Sequence, residues 1–425
     1  MKTTKTWLAA LLFTGIFVSN AQTNTVTGSN TTTPSSTNNS IYGWGILGTN
    51  TGGNNSFFGS QAGKSTAGGA GNTFLGSNAG FANISGGENV YTGHGAGFSN
   101  ASGNYNTFTG ARAGFSSSKA SNNVFIGHSS GYSNILGDNN VFTGFQSGYY
   151  NTAGNNSFYG AYSGVSNTTG TGNAFYGYNS GYHNTTGESN VFLGSSSGFN
   201  SKTNSYNIFI GDQAGYQSAS GDGGNVFIGH AAGAANINGA GNTYVGFIAG
   251  LNATGTGNVF IGSNAGKDEV GNNKLYISNN PTDKPLIYGD FSTSKVGIGG
   301  VNTFATADKF PATAGAVSLA NYRLFVRGGI LTEEVRIQLL SGWADYVFTP
   351  DYKLKPLADV ETFISQNGHL PNVPSASQVA TEGIELGEMA KIQQEKIEEL
   401  TLYLIQQNKD IQELKAQVKA LSEKK

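Results

Sequence analysis

The chain has no cysteine, two methionines, three tryptophans and eight prolines in 425 residues. Without cysteine there are no disulfides, no thiolate metal sites and no lipid attachment through a thiol. Charge is also scarce. Only 11% of residues are Asp, Glu, Lys or Arg, less than half the usual share, and the net charge is −2. Nothing in that balance points to nucleic acid or to an acidic membrane surface as partner. Leu, Ile and Met are sparse before residue 270, so a conventional globular core is not expected there. Long apolar runs are missing too. Trp7 to Val18 follows Lys2 and Lys5 and is too short to span a bilayer as a mature helix. With Ser19-Asn20-Ala21 behind it, it reads as a secretory signal over residues 1–21, with the mature chain starting at Gln22. The expectation is an exported protein, extracellular or at the cell surface.

What the chain does have is glycine, 64 of them, and a repeat. The motif Asn-x-aromatic-x-Gly-x-x-(Ala/Ser)-Gly places its aromatic at Phe57, Phe74, Tyr91, Phe108, Phe125, Phe142, Phe158, Phe175, Phe192, Phe209, Phe227, Tyr244 and Phe260. The period is 17, with slips of one residue, and a weaker copy begins at Asn39. A fixed period of this length predicts stacked coils, each burying its face on the next. Residues 22–38 read as a flexible polar leader, 39–272 as the repeat domain and 273–340 as a β-rich connector. Connector strands are expected at 275–277, 285–288, 296–299, 323–327 and 334–337. A small assembly module follows over 341–386, then a helix over 387–425.

The coil from Asn123 to Asn139 shows what each repeat requires. Val124-Phe125-Ile126 favours β structure, and Gly127, Gly131 and Gly137 mark turns. Two short strands and two or three corners per coil are expected. Strand neighbours point to opposite faces, so the aromatic fills the coil interior while Leu75, Ile126, Leu193, Ile210, Ile228, Val245 and Ile261 face outward. Strands apolar on both faces call for cover on both, which predicts an oligomer. The Ala or Ser before the second glycine marks a tight approach. A second row, Asn83, Asn100, Asn134, Asn151, Asn167, Asn184 and Asn236, predicts an amide ladder along the stack.

The pattern Asn-Val-Phe-Ile-Gly-x-x-Ala-Gly resembles the head repeats of trimeric autotransporter adhesins and repeats of phage-type tail fibres. The resemblance covers 39–272 and implies a left-handed β-roll, three chains around one axis. The period is longer than the usual head repeat, and the four-stranded membrane anchor of those adhesins is not seen. Residues 342–407 resemble a module that ends many Bacteroidetes surface and tail-fibre-like proteins, through Trp343, Asp345-Tyr346-Val347-Phe348, His369-Leu370-Pro371 and Pro374-Ser375. It is similar to the endosialidase-type chaperone domains that trimerise phage tailspikes. Some of those cut themselves off with a serine, an aspartate and a lysine. Here Pro350 precedes Asp351, Lys353 and Lys355, and no serine stands in its place.

In the last helix Ile397, Leu400, Leu404, Gln407, Ile411, Leu414, Val418 and Leu421 occupy a and d positions of a heptad. Ile and Val at a with Leu at d lean toward a dimer; the resemblance implies a homotrimer. Leu402, Tyr403 and Ile405 lie off the seam and are expected against the preceding module. Sites of chemistry are few. Gly43-x-Gly45-x-x-Gly48 matches a dinucleotide fingerprint, but no helix pattern follows. His94, His128 and His230 share one coil position in non-adjacent coils and read as solvated turn residues. Asp268 and Glu269 read as a capping turn. No catalytic, cofactor-binding or metal-ligating residue is assigned, and no cofactor is expected. The expected protein is a fibrous, adhesin-like structural protein and not an enzyme, with itself and a glycan or surface receptor as partners. The alternative is a tail-fibre-like protein with self-processing or glycan-binding or glycan-hydrolysing activity. An ice-binding roll would need a regular Thr ladder, which the outward row lacks.

Overall fold

A computed structural model describes residues 24–28, 38–46, 50–219, 223–280, 284–300, 310–338 and 342–424. The signal at 1–21 and Gly48 lie outside the described residues. The chain divides into two compact units, 1–300 and 301–425.

The first unit is a parallel β-solenoid of about 14 coils with a period near 17. Fifteen three-residue strands, from Thr25–Thr27 to Val259–Ile261, follow one another. Each pairs with the next in parallel and in register, as Val124, Phe125 and Ile126 do with Val141, Phe142 and Thr143. Within 22–38, read as a flexible leader, residues 24–28 instead carry the strand Thr25–Thr27, and 29–37 lie outside the described residues. Asn24-Thr25-Val26-Thr27-Gly28 is one more copy of the motif, with Val in the aromatic position, and Asn24 Oδ1 accepts the N–H of Asn39 at 2.8 Å.

Each coil carries one strand, not two. Residues nine and eleven of a coil do bond to the next coil, as in Gly131 N to Ser147 O at 2.9 Å and Ser133 N to Tyr149 O at 2.9 Å. The segment is not a strand because Gly131 has φ +60° and Ser129 φ +56°, both left-handed. Both motif glycines are required by contact. A Cβ on Gly127 would lie 2.4 Å from the carbonyl oxygen of Gly144 in the next coil. On Gly131 it would lie 2.5 Å from the Phe125 ring of its own coil.

Inside, the motif aromatics form an unbroken pile from Phe57 to Phe260. Successive ring centroids are 4.6–4.9 Å apart with planes within 10°. All are at most 1% exposed. Burying one such ring contributes about 1.5–3 kcal/mol. The Ala/Ser position is likewise sealed, from Ala62 to Ala265. In the middle coils its hydroxyl finds a role: Ser130 Oγ donates to Phe142 O at 3.0 Å and Ser197 Oγ to Phe209 O at 2.9 Å.

The most continuous amide ladder is built by the first Asn of the motif. Asn123 Oδ1 accepts the N–H of Asn140 at 2.8 Å, and the same bond recurs coil after coil from Asn24 to Lys274. The side-chain Nδ2 closes the coil, as from Asn106 to Ala120 O at 2.8 Å. In the 16-residue coil that starts at Asn140 it reaches Ala153 instead, at 2.9 Å. The slip is thus absorbed in the last corner, and the strand register stays fixed. The predicted ladder at Asn83, Asn100, Asn134, Asn151, Asn167, Asn184 and Asn236 is buried but discontinuous. Asn151 Nδ2 reaches Asn134 Oδ1 at 3.2 Å and Asn167 Nδ2 reaches Asn151 Oδ1 at 2.6 Å. Elsewhere in this row amide atoms are left without a side-chain or backbone partner, as at Asn184.

The sheet runs past residue 272. Lys274–Ile277 adds in parallel, and Ile287–Asp290 and Lys295–Ile298 then turn antiparallel. The first half of the connector is therefore the end of the solenoid. Phe260 meets Tyr276 edge-on, at 89°, so the pile stops there. Lys274 Nζ bonds Asp290 Oδ2 at 2.5 Å, placing an ion pair at the end of an otherwise uncharged ladder.

The second unit holds a short hairpin, Thr313–Ala314 with Val317–Ser318, and the strand Leu324–Val326. Residues 334–337 form no strand; Val335 and Ile337 stay exposed. A 3-10 turn at Ala344–Phe348 leads to α1 (Leu357–Asn367), α2 (Ala376–Glu382) and α3 (Leu386–Ser422). Ser375 and Gln378 form a capping box on α2. Gly368, with φ +74°, ends α1.

Candidate interaction surfaces

Three surfaces present groups that the fold itself does not consume. The outward face of the strand ladder is the first. Phe58, Leu75, Ile126, Tyr159, Tyr176, Leu193, Ile228 and Ile261 stand exposed along it, and Thr92, Thr109 and Thr143 interrupt the row. The predicted division of the strand, aromatic in and neighbour out, is what the chain adopts.

The second surface is the corner after the first motif glycine. His94, His128 and His230 stand there, all exposed, in different company. His128 stacks on Phe145 at 5.4 Å. His230 lies 3.5 Å from Asp212 and 5.3 Å from the ring of Phe247. Among the described residues no three His, Asp or Glu side chains converge as a metal would require. The same corner carries a second aromatic pile that the motif reading did not reach: Phe81, Phe98, Phe115, Tyr132 and Tyr149, at 4.7–5.2 Å. It resumes at Tyr182, Phe199 and Tyr216. The signal was present as an aromatic directly after the second glycine, but Val165 and Ala234 break the series.

Asp268 and Glu269 are tied into the end of the stack. Asp268 Oδ1 accepts from Asn252 Nδ2 at 2.6 Å, and Glu269 accepts from Gly271 N at 2.7 Å and from the Tyr276 hydroxyl at 2.5 Å. Gly43 serves stacking: a Cβ there would meet Gly59 O at 2.1 Å.

The third surface is the C-terminal unit. Among the described residues from 310 to 424, the buried ones are Phe310, Ala344, Val347, Pro371, Glu395 and Glu398. The two helix positions of α3 that leave solvent are thus both glutamates. Glu395 accepts from Lys396 at 2.7 Å, from Asn372 at 3.3 Å and from the Tyr346 hydroxyl; Glu399 accepts from Lys396 at 2.8 Å and from the Tyr352 hydroxyl. Burial opposes the charge on Glu395, but these bonds outweigh it and hold its carboxyl below the usual range. The bond to Glu395 pushes the Tyr346 phenol up to about 12. Tyr403 donates to Lys355 O at 2.5 Å, so this off-seam residue packs on the module as expected. The heptad residues Ile397, Leu400, Leu404, Ile411, Leu414, Val418 and Leu421 are all exposed. Ile397 and Leu400 also line a cavity of about 520 Å³ with Leu357, Val360 and Leu370.

Comparison with protein-family models, curated proteins and solved structures finds no match for the chain. Among the described residues no helix is long and apolar enough to cross a membrane.

Proposed function

We propose that the chain is an exported fibrous protein, a homotrimer that displays its solenoid for adhesion or as a structural spacer. A fibrous solenoid is compatible with such a role. The observation that carries the assembly half of this reading is the bare seam on α3: seven apolar heptad residues exposed on one 37-residue helix. A heptad seam is complementary to copies of itself, so further copies of this chain are its natural cover. The lack of a core around α1 and α2 supports the same reading, because a unit this small with so few buried apolar groups gains too little on folding alone. The polar d position, Gln407, departs from the simple dimer rule, and the resemblance to trimeric fibres favours three.

Sedimentation equilibrium of residues 22–425 is expected to give the mass of three chains. Leu400→Asp with Leu414→Asp puts two carboxylates in the seam and is expected to bring the mass down to one chain. A stable, well-folded monomer of the parent at micromolar concentration would sink the assembly reading. For export and display, the test is surface labelling of intact cells with an antibody to the solenoid.

A further inference from the structure

The corner row is small or polar at many of its positions: Ser60, Ser77, Ala111, Ser195 and Ser263. In mid-stack it changes. Seven of the chain's 20 tyrosines fall within residues 149–182, and residues 139–187 contain no Asp, Glu, Lys or Arg at all. Phe145, Tyr162, Tyr178 and Tyr182 form one patch there. The second aromatic pile is interrupted beside it, at the buried Val165. Tyr162, in the same turn as Val165, sets its ring across those of Phe145 and Tyr178 in the adjacent coils. It meets Phe145 edge-on at 5.2 Å and 77°, and Tyr178 at 6.1 Å and 81°. Tyr182 lies 6.3 Å away.

Turning Tyr162 changes what the rings offer. In a face-to-face pile, neighbours cover the flat faces and only edges reach solvent. Tyr178 has no ring parallel to it: Ala161 and Ser195 occupy its position in the coils on either side. It is 54% exposed and Phe145 is 41% exposed. Tyr178 therefore presents flat aromatic surface, with phenol hydroxyls beside it, while one face of Phe145 is taken by His128. Two histidines adjoin the patch: His128, stacked on Phe145, and His183, whose pKa burial and the Lys202 charge both lower.

We propose that this patch binds a neutral, β-linked polysaccharide. Pyranoses with equatorial substituents have apolar C–H faces that pack on aromatic rings, and their hydroxyl rims take hydrogen bonds from phenols and amides. A patch with no Lys or Arg among its rings selects against uronates and sulfated sugars, because a carboxylate or sulfate would lose hydration without gaining an ion-pair partner there. The zigzag of Phe145, Tyr162 and Tyr178 has steps close to the length of one sugar residue, and a straight β-linked chain keeps successive rings in register with it.

The proposal names the ligand class for the display role above and rests on that reading. It is tested on the full mature chain by calorimetric titration with cellohexaose, xylohexaose and chitohexaose, beside a polyuronate hexamer. Binding of at least one neutral hexamer is expected, with a tenfold or greater loss of affinity in Tyr178→Ala and in Phe145→Ala. Tyr105→Ala, an exposed tyrosine elsewhere on the stack, is expected to bind as the parent does. All four proteins are expected to melt together, since Tyr178 and Phe145 lie at the surface. Absence of binding to every neutral hexamer at millimolar concentration overturns the proposal, as does binding of the uronate alone or equal affinity in Tyr178→Ala. A trimer found on the cell surface that binds no sugar would leave the fibre reading standing and remove this one.

Discussion

Inside the coil stack, thirteen aromatic rings from Phe57 to Phe260 are withdrawn from solvent by a single chain. In the C-terminal unit, Leu400, Leu414 and their heptad partners stay outside, and what α3 buries is Glu395 and Glu398. The stack meets its own needs: each ring finds the ring of the next coil, and each Asn finds the next backbone N–H. The helical unit has its polar network in place while its apolar heptad residues remain exposed. Local rules therefore suffice for the ladder of the first unit, whereas the second leaves exposed the apolar residues that the proposed association would cover. The two differ equally in charge, since the interior ladder of the stack is made of neutral amides and the helical unit is clasped by a Lys–Glu–Tyr network.

That last difference gives the largest expected contrast. Glu395 has its pKa lowered in the folded unit, so its contribution is present above the unfolded carboxyl value, about 4.3, and is lost as pH falls through the lower folded value. Between pH 5 and pH 2 the helical circular-dichroism signal is expected to fall while the β signal of the stack holds. Parallel loss of both signals would erase the distinction. Next in size is Phe142→Ala, which removes one ring from mid-pile and is expected to cost about 3–5 kcal/mol in the stack's unfolding. Leu404→Ala, a similar truncation at the exposed seam, is expected to weaken association and leave the stack's melting unchanged.

Ser147→Leu probes the sealed small position and is expected to cost about 1–3 kcal/mol by overpacking. Lys119→Leu, on the surface, should stay within about 0.5 kcal/mol. Equal melting temperatures for parent and both variants would overturn the packing described here. The smallest effect is a gain. Tyr91 carries its hydroxyl into the sealed interior without a hydrogen bond of normal geometry, where most coils have Phe. Tyr91→Phe is expected to stabilise by about 1 kcal/mol, the cost of an unpaired buried polar group, read as a higher denaturant midpoint.

The period and the fixed aromatic make the solenoid readable from residues alone, because every coil repeats the same two-glycine constraint. What escaped was the part set by contact between coils. One strand forms per coil because Gly131 and Ser129 take positive φ, which alternation of apolar residues does not reveal. The continuous ladder runs through the motif Asn, whose Oδ1 lies one coil below the next N–H; the other Asn row matched it in spacing but not in orientation. Asn24-Thr25-Val26-Thr27-Gly28 was passed over because Val replaced the ring. The aromatic corner depends on Tyr162 lying across Phe145 and Tyr178, a relation between coils that no single repeat contains.

The Asn ladder has a further consequence, for how such a protein changes length over generations. Each coil meets its neighbours through the same backbone carbonyl, the same amide and the same ring, at a rise near 4.8 Å. An in-frame duplication or loss of one repeat unit in the gene therefore joins surfaces that already fit. The stack can be lengthened or shortened one rung at a time without redesign of its core, and its length becomes a quantity that recombination sets.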